Sequence, residues 1–301
     1  MLSFFNLTCT FNNASKPVLD NINLCINKGK CIFITGRSGE GKSTFLKIVN
    51  GVIPSIIPAK INGDIQLNNK SLLNKPLHEI GIKIGSVFQD CRSQFFMTHV
   101  IEELNFASLN YGCNYEESQK RLDMLIELFD LKPLLYRNIF KLSSGERQKV
   151  AIASVVAYNP DIILLDEPSA NLDKKSLSSL SSLLKTIKNN GTTIIIADHR
   201  LHYSFDIADE FYNIKDGKLF PQEQNKFQSF TNMISSPEEI CHIPNFLSYT
   251  AHYKKDTQPI LKISNLSISK NKKLLNNFSI DLYRGESIAI TGSNGTGKTS
   301  L

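Results

Sequence analysis

Short apolar runs alternate with amphipathic stretches over most of this chain. Residues 31–35 (CIFIT), 85–88 (GSVF), 162–165 (IILL) and 192–197 (TTIIIA) are apolar runs of strand length, which predicts buried strands. Leu122, Leu125, Ile126 and Phe129 recur at helical spacing, and so do Leu177, Leu180, Leu183, Leu184 and Ile187. The serines of 176–182 therefore sit on an amphipathic helix and do not form a low-complexity linker. Strands alternating with helices predict an α/β fold whose mostly parallel sheet is covered on both faces. The first thirty or so residues and 61–70 read as antiparallel strands with Asn/Gly turns, and 95–155 reads as mainly helical. Regularity fades over 223–258, around Pro221, Pro237 and Pro244, and that stretch reads as a linker.

The chain also repeats itself. CIFITGRSGEGKSTFL at 31–46 returns as SIAITGSNGTGKTSL at 287–301, and the lead-in at 16–30 returns at 272–286. Two copies of one domain start are expected, about one domain's length apart. The reading is a complete domain at 1–222, a linker at 223–258 and the truncated start of a second domain at 259–301.

Composition narrows the class. Of 301 residues, 41% are hydrophobic and 21% charged, as in soluble globular proteins. No run approaches the roughly 18 apolar residues of a membrane span. No basic segment precedes the apolar residues of MLSFFNLTCTF, so no signal peptide is expected. Any membrane contact should then pass through another subunit. The net charge of +6 is spread out; its densest run, KNKK at 270–273, reads as a solvated turn, and no nucleic-acid partner is expected. Six cysteines without CxxC spacing read as small buried apolar residues in a reducing compartment.

Gly36-Arg37-Ser38-Gly39-Glu40-Gly41-Lys42-Ser43 fits the phosphate-binding loop pattern between a strand and a helix. The glycines let backbone N–H groups turn inward, and the helix start adds its positive end. Lys42 would neutralise the β- and γ-phosphates, Ser43 would take a place on Mg²⁺, and Thr44 would reach the α-phosphate side. The strand 162–165 ends in Asp166 and Glu167. A strand end often carries an acid. Beside a phosphate loop, Asp166 can hold Mg²⁺ through water and Glu167 can polarise an attacking water. His199 follows the next apolar strand, expected beside the phosphate-loop strand, where it would approach the γ-phosphate; a strand-end histidine is otherwise structural or exposed. Gln89 ends GSVFQ in the crevice where ligands bind and would touch Mg²⁺ or the water. Ser143 is a natural N-cap with Glu146 three residues on. The same helix start is either a cap alone or an anion site offered to a nucleotide on a facing domain.

In their order, these motifs resemble the ABC ATPase domain: a P-loop NTPase fold with a mostly parallel core sheet, an N-terminal antiparallel β subdomain and a helical signature subdomain. The set comprises the phosphate loop, Gln89, the signature LSSGE at 142–146, the acidic strand, Ser169-Ala170-Asn171-Leu172-Asp173 and His199. The resemblance implies ATP hydrolysis with Mg²⁺. It implies a second ABC ATPase domain, as homodimer or heterodimer, whose nucleotide meets Ser143 and Gly145. It places Asp173 in a loop facing that partner and Phe11 against adenine, a core position being the alternative. Residues 45–69 and 87–112 and the LSSGE form resemble energy-coupling factor ATPases of vitamin and metal-ion importers. Cys91 stands where those have proline, and Ser144 where the signature usually has glycine. The implied partner is a transmembrane transporter subunit at the cytoplasmic face of the membrane, docking near 89–96, with Phe95 or Phe96 as anchor unless both are core. A ribosome- or nucleic-acid-directed tandem ATPase and an inert fragment are the other classes weighed. The second loop, Gly292, Gly295, Gly297, Lys298 and Thr299, is expected not to bind ATP productively, so Lys298→Ala should barely alter turnover.

Overall fold

The computed structural model describes residues 1–12, 14–110, 112–223, 258–269, 273–290 and 301. Most of the expected linker (224–257), Cys241 and the second phosphate loop (292–299) lie outside them. The chain divides into two units, Met1–Thr231 and Asn232–Leu301.

The first unit opens with β1 (Leu2–Phe11), β2 (Leu19–Ile26) and β3 (Cys31–Thr35), then α1 (Lys42–Val49) and the short α2 (Val52–Ser55). Next come β4 (Ala59–Leu67), β5 (Lys70–Ser71), α3 (Leu77–Lys83) and β6 (Ile84–Val87). A helical stretch follows: α4 (Val100–Asn110), α5 (Tyr115–Leu128) and α6 (Ser144–Val156). The unit closes with β7 (Ile162–Asp166), α7 (Lys174–Asn189), β8 (Thr193–Ala197), β9 (Glu210–Lys215) and β10 (Lys218–Gln222). β2-β1-β4-β5 form an antiparallel sheet, and β10-β9-β3-β8-β7-β6 form the six-stranded core sheet. Within the core sheet β9, β3, β8, β7 and β6 are parallel, and β10 runs antiparallel at the edge.

Period-two alternation explains how this sheet is covered. Cys31 and Phe33 of β3 join Ile163, Leu165, Ile194 and Ile196 in one apolar core, together with Leu122, Val150 and Leu184 of the helices. Ile32 and Ile34 point the other way, into a second core with Leu164, Ile195, Phe4, Leu7 and Phe45. The central strands are therefore buried on both faces, by helices on one and by the antiparallel sheet with α1 on the other. Phe4 and Phe45, stacked at 5.0 Å, join that sheet to α1. Each such side chain contributes roughly 1.5–3 kcal/mol by leaving water.

The expectation that every cysteine is buried needs correction. Cys9, Cys31 and Cys91 are buried, Cys113 is half-buried and Cys25 is exposed. Leu24 and Ile26 take the inward side of β2, so the alternation turns Cys25 outward.

In the second unit, β11 (Leu261–Ser269) and β12 (Lys273–Leu282) pair antiparallel. They repeat a detail of β1 and β2. Left-handed Asn6 and Asn21 fall at the two register shifts of the first pair, and left-handed Asn265 and Asn277 fall at two of the three in the second. Asn21 N donates to Thr8 Oγ1, and Asn277 N donates to Ser267 Oγ, both at 3.0 Å. The repeated sequence thus specifies a repeated, hydroxyl-pinned bulge.

Candidate active site

Four strand ends meet at the carboxyl edge of the core sheet. β3 delivers the glycine loop. Gly36 has φ +152°, and a Cβ there would come within 2.6 Å of the Ile214 carbonyl oxygen. Gly41 has φ +104° and is the N-cap of α1, wedged against Val18 and Leu19. Only glycine fits either place. Ser38 and Gly39 lie exposed on the outer side of the loop, and Thr44 is half-buried in the first turn of α1. Lys42 is 5% exposed, and its Nζ donates to the carbonyls of Gly36 (2.7 Å) and Arg37 (3.0 Å). The loop thus curls around its own lysine, whose ammonium is held by two loop carbonyls.

β7 delivers the acid pair. Ser43 Oγ donates to Asp166 Oδ1 at 3.0 Å, so the first turn of α1 and the end of β7 share one polar point. Burial pushes the Asp166 carboxyl above its ordinary range; the Ser43 hydroxyl opposes that shift, and the neighbouring Glu167 adds to it. Glu167 sits in the left-handed region at φ +46°. Such a residue stores roughly 1–3 kcal/mol of strain, and a bond from its N–H to the Ala197 carbonyl (2.7 Å) holds it there.

β6 and β8 supply the remaining groups. Gln89 Nε2 donates to Glu167 Oε2 at 2.7 Å. His199 Nδ1 lies 3.9 Å from Glu167 Oε1 and 3.6 Å from Asp198 Oδ1. β8 pairs directly with β3, the neighbour relation expected for His199. Gln89 is thus set on the second acid, whereas Ser43 and Asp166 form their own pair. A phosphate cradle, a hydroxyl–carboxylate pair fit for a hard cation and an acid held by an amide beside an imidazole occupy one edge. Mg²⁺ takes one or two carboxylates, with water and phosphate oxygens completing its shell, and Ser43 with Asp166 fits that donor set.

The remaining sequence-flagged residues lie elsewhere. Phe11 ends β1, half-buried, and packs against the second core. Ser143 caps α6 in a full capping box: Glu146 N donates to Ser143 Oγ, and Ser143 N donates to Glu146 Oε2. Against the cost of burial, these bonds and the Arg137 guanidinium hold Glu146 below its ordinary range. Gly145 follows, where a Cβ would meet Ser176 Oγ at 2.5 Å and its Cβ at 2.9 Å. Ser143, Gly145, Lys149, Lys175 and Ser176 line a cavity of about 290 Å³ between α6 and α7. Asp173 caps α7 by accepting from Ser176 N at 2.9 Å, a local role that the motif pattern did not suggest. Sequence reasoning also passed over Asp198, which is fully buried next to His199. An acid directly before the strand-end histidine was the available signal.

The chain is similar in sequence and in fold to known proteins. The sequence model of the family described as ABC transporter matches residues 19–170. Two proteins of Treponema denticola named as ABC transporter ATP-binding proteins align with the whole chain at 32% and 35% identity. The chain spans 63% of the length of each. Among solved structures, cbiO1 of Clostridium perfringens, described as part of the ABC transporter complex cbiONQ, superposes with a TM-score of 0.69 at 27% identity. That match covers 81% of this chain and 96% of the other. The ATP-binding cassette MJ0796, solved as a dimer in a post-hydrolysis state with ADP and Pi, gives 0.64 at 27% identity, over 74% of this chain and 99% of its own.

Proposed function

The chain belongs to the ABC transporter ATP-binding family, and on that premise we propose that Met1–Thr231 hydrolyses MgATP to drive import through a membrane subunit. The single observation that carries this reading is the 3.0 Å bond between Ser43 and Asp166, which brings phosphate loop and acidic strand to one point. Lys42 and the loop N–H groups hold the triphosphate. Mg²⁺, held by Ser43 and Asp166, would neutralise charge on the β- and γ-phosphate oxygens. Glu167, fixed by Gln89 and near His199, orients and polarises the attacking water. His199 also contacts the γ-phosphate. Phosphoryl transfer asks for little beyond this placement and charge neutralisation.

The finer assignment is an energy-coupling factor motor at the cytoplasmic face of the membrane. The likeness to cbiO1, the 87–112 segment and the LSSGE signature support it. Among the described residues no helix is long and apolar enough to cross a membrane; on this reading the transmembrane element belongs to a partner subunit. Phe96 suits that partner: it is 76% exposed and stacks on Phe106 at 4.9 Å, whereas Phe95 is half-buried against the core. A second cassette, in the same or another chain, faces Ser143, Gly145 and Asp173. MgATP turnover of the purified chain tests the proposal, with Glu167→Gln as control. Turnover should rise more steeply than linearly with protein concentration, and the control should lose about 100-fold or more while still binding nucleotide. Equal turnover in both proteins would overturn the reading.

A further inference from the structure

The loop after β7 and the loop after β8 each carry one candidate catalytic group, Glu167 and His199. One buried side chain joins them. Asp198 is 0% exposed, and its carboxylate accepts four hydrogen bonds. Oδ1 takes the backbone N–H of His199 (2.7 Å) and of Arg200 (3.1 Å) in its own loop. Oδ2 crosses to the other loop and takes the N–H of Ser169 at 3.2 Å, along with the Tyr203 hydroxyl at 2.8 Å. A return tie runs through Arg200, whose guanidinium reaches the carbonyls of Ser169 and Leu172, both at 3.4 Å. Ser169 is itself 0% exposed, so this segment is anchored and not loosely draped.

A buried carboxylate with four donors resists displacement, because the Ser169 N–H and the Tyr203 hydroxyl, once released, would lose their partner away from water. We infer that Asp198 is a positioning residue that locks segment 167–173 to His199, so that the two loops move as one piece. Glu167 opens that segment and Asp173 closes it. A shift of His199 on phosphate release would then carry the face offered to a second cassette with it. The consequence for turnover rests on the ATPase reading; the tie itself does not.

Amide hydrogen exchange and kinetics on the same proteins test it separately. Asp198→Asn keeps the shape but presents an NH₂ group to a site built of donors. Protection of 169–173 and of 198–203 should fall together, by about tenfold or more. In steady state, kcat should fall roughly ten- to a hundredfold, while the dissociation constant for MgATP changes by less than about threefold. Tyr203→Phe removes one of the four bonds and leaves the charge, so it serves should Asp198→Asn not fold. It should show the same pattern at about two- to fivefold. Exchange that rises in 198–203 alone would overturn the inference, as would equal losses in kcat and nucleotide affinity. Coupled exchange in a chain without turnover would uphold the tie and overturn the ATPase reading instead.

Discussion

At the carboxyl edge of the core sheet Asp166 is crowded: burial and Glu167 raise its pKa, and the Ser43 hydroxyl, Lys47 and Lys42 oppose that rise without cancelling it. At the start of α6 Glu146 is satisfied, with the Ser143 backbone, the Ser143 hydroxyl and Arg137 all supporting its charge. Both places are suited to anions, yet one holds its carboxylate at a cost and the other at a gain. The difference separates two kinds of site. A helix start that completes its own capping box folds whether or not a ligand ever comes. A sheet edge that gathers two acids near a lysine is tuned for a cation and phosphate, and function there works against stability.

The sharpest way to break this contrast is at Lys42. Its ammonium is buried and held by Gly36 and Arg37. Lys42→Ala should lower MgATP turnover by about 100-fold or more and weaken binding of a fluorescent ATP analogue. Turnover within tenfold of wild type would move phosphate binding away from the sheet edge and dissolve the distinction.

Gly145 gives the next largest effect. A methyl group there collides with Ser176, so Gly145→Ala should cost about 1–3 kcal/mol of stability by forcing α6 from α7. Ser176→Gly removes the colliding atoms, and the double variant should melt within a few degrees of wild type. If Gly145 also approaches a partner's phosphate, the double variant recovers its melting temperature but not its turnover. Recovery of both would reduce this glycine to a packing role.

How much of this was legible in advance follows from what each signal measures. Runs such as CIFIT and IILLD announced strands buried on both faces because composition alone reports that. The glycine loop and acid pair were legible because phosphate chemistry fixes residue types and spacing. The hairpin of β9 and β10 was passed over although Asp216-Gly217, both at positive φ, mark its turn. Its apolar run is shorter and more polar than the central strands. Asp198 was passed over for a different reason. Its importance lies in donors from Ser169 and Tyr203, and no local pattern brings those to it. The placement of Gln89 on Glu167, and not on the Ser43–Asp166 pair, likewise depends on how β6 and β7 end side by side.

The smallest effect concerns pH, and its two halves have opposite signs. Glu146 has a lowered folded pKa, so its stabilisation is present above the unfolded value of about 4.3 and is lost as pH falls through the folded one. Asp166 has a raised folded pKa, so the folded state binds that proton more readily than the unfolded chain. Its ionised form therefore weighs against folding at neutral pH, and the penalty fades as pH falls through the raised value. Glu146→Gln should melt below wild type at pH 7, with the gap closing below about pH 4. Asp166→Asn keeps an acceptor for Ser43 and removes the charge, so the nucleotide-free variant should melt above wild type at pH 7 although it no longer turns over MgATP. Melting curves from pH 3.5 to 8 decide the matter. Two variants that shift in the same direction at neutral pH would show that both carboxylates are merely structural, or both merely strained.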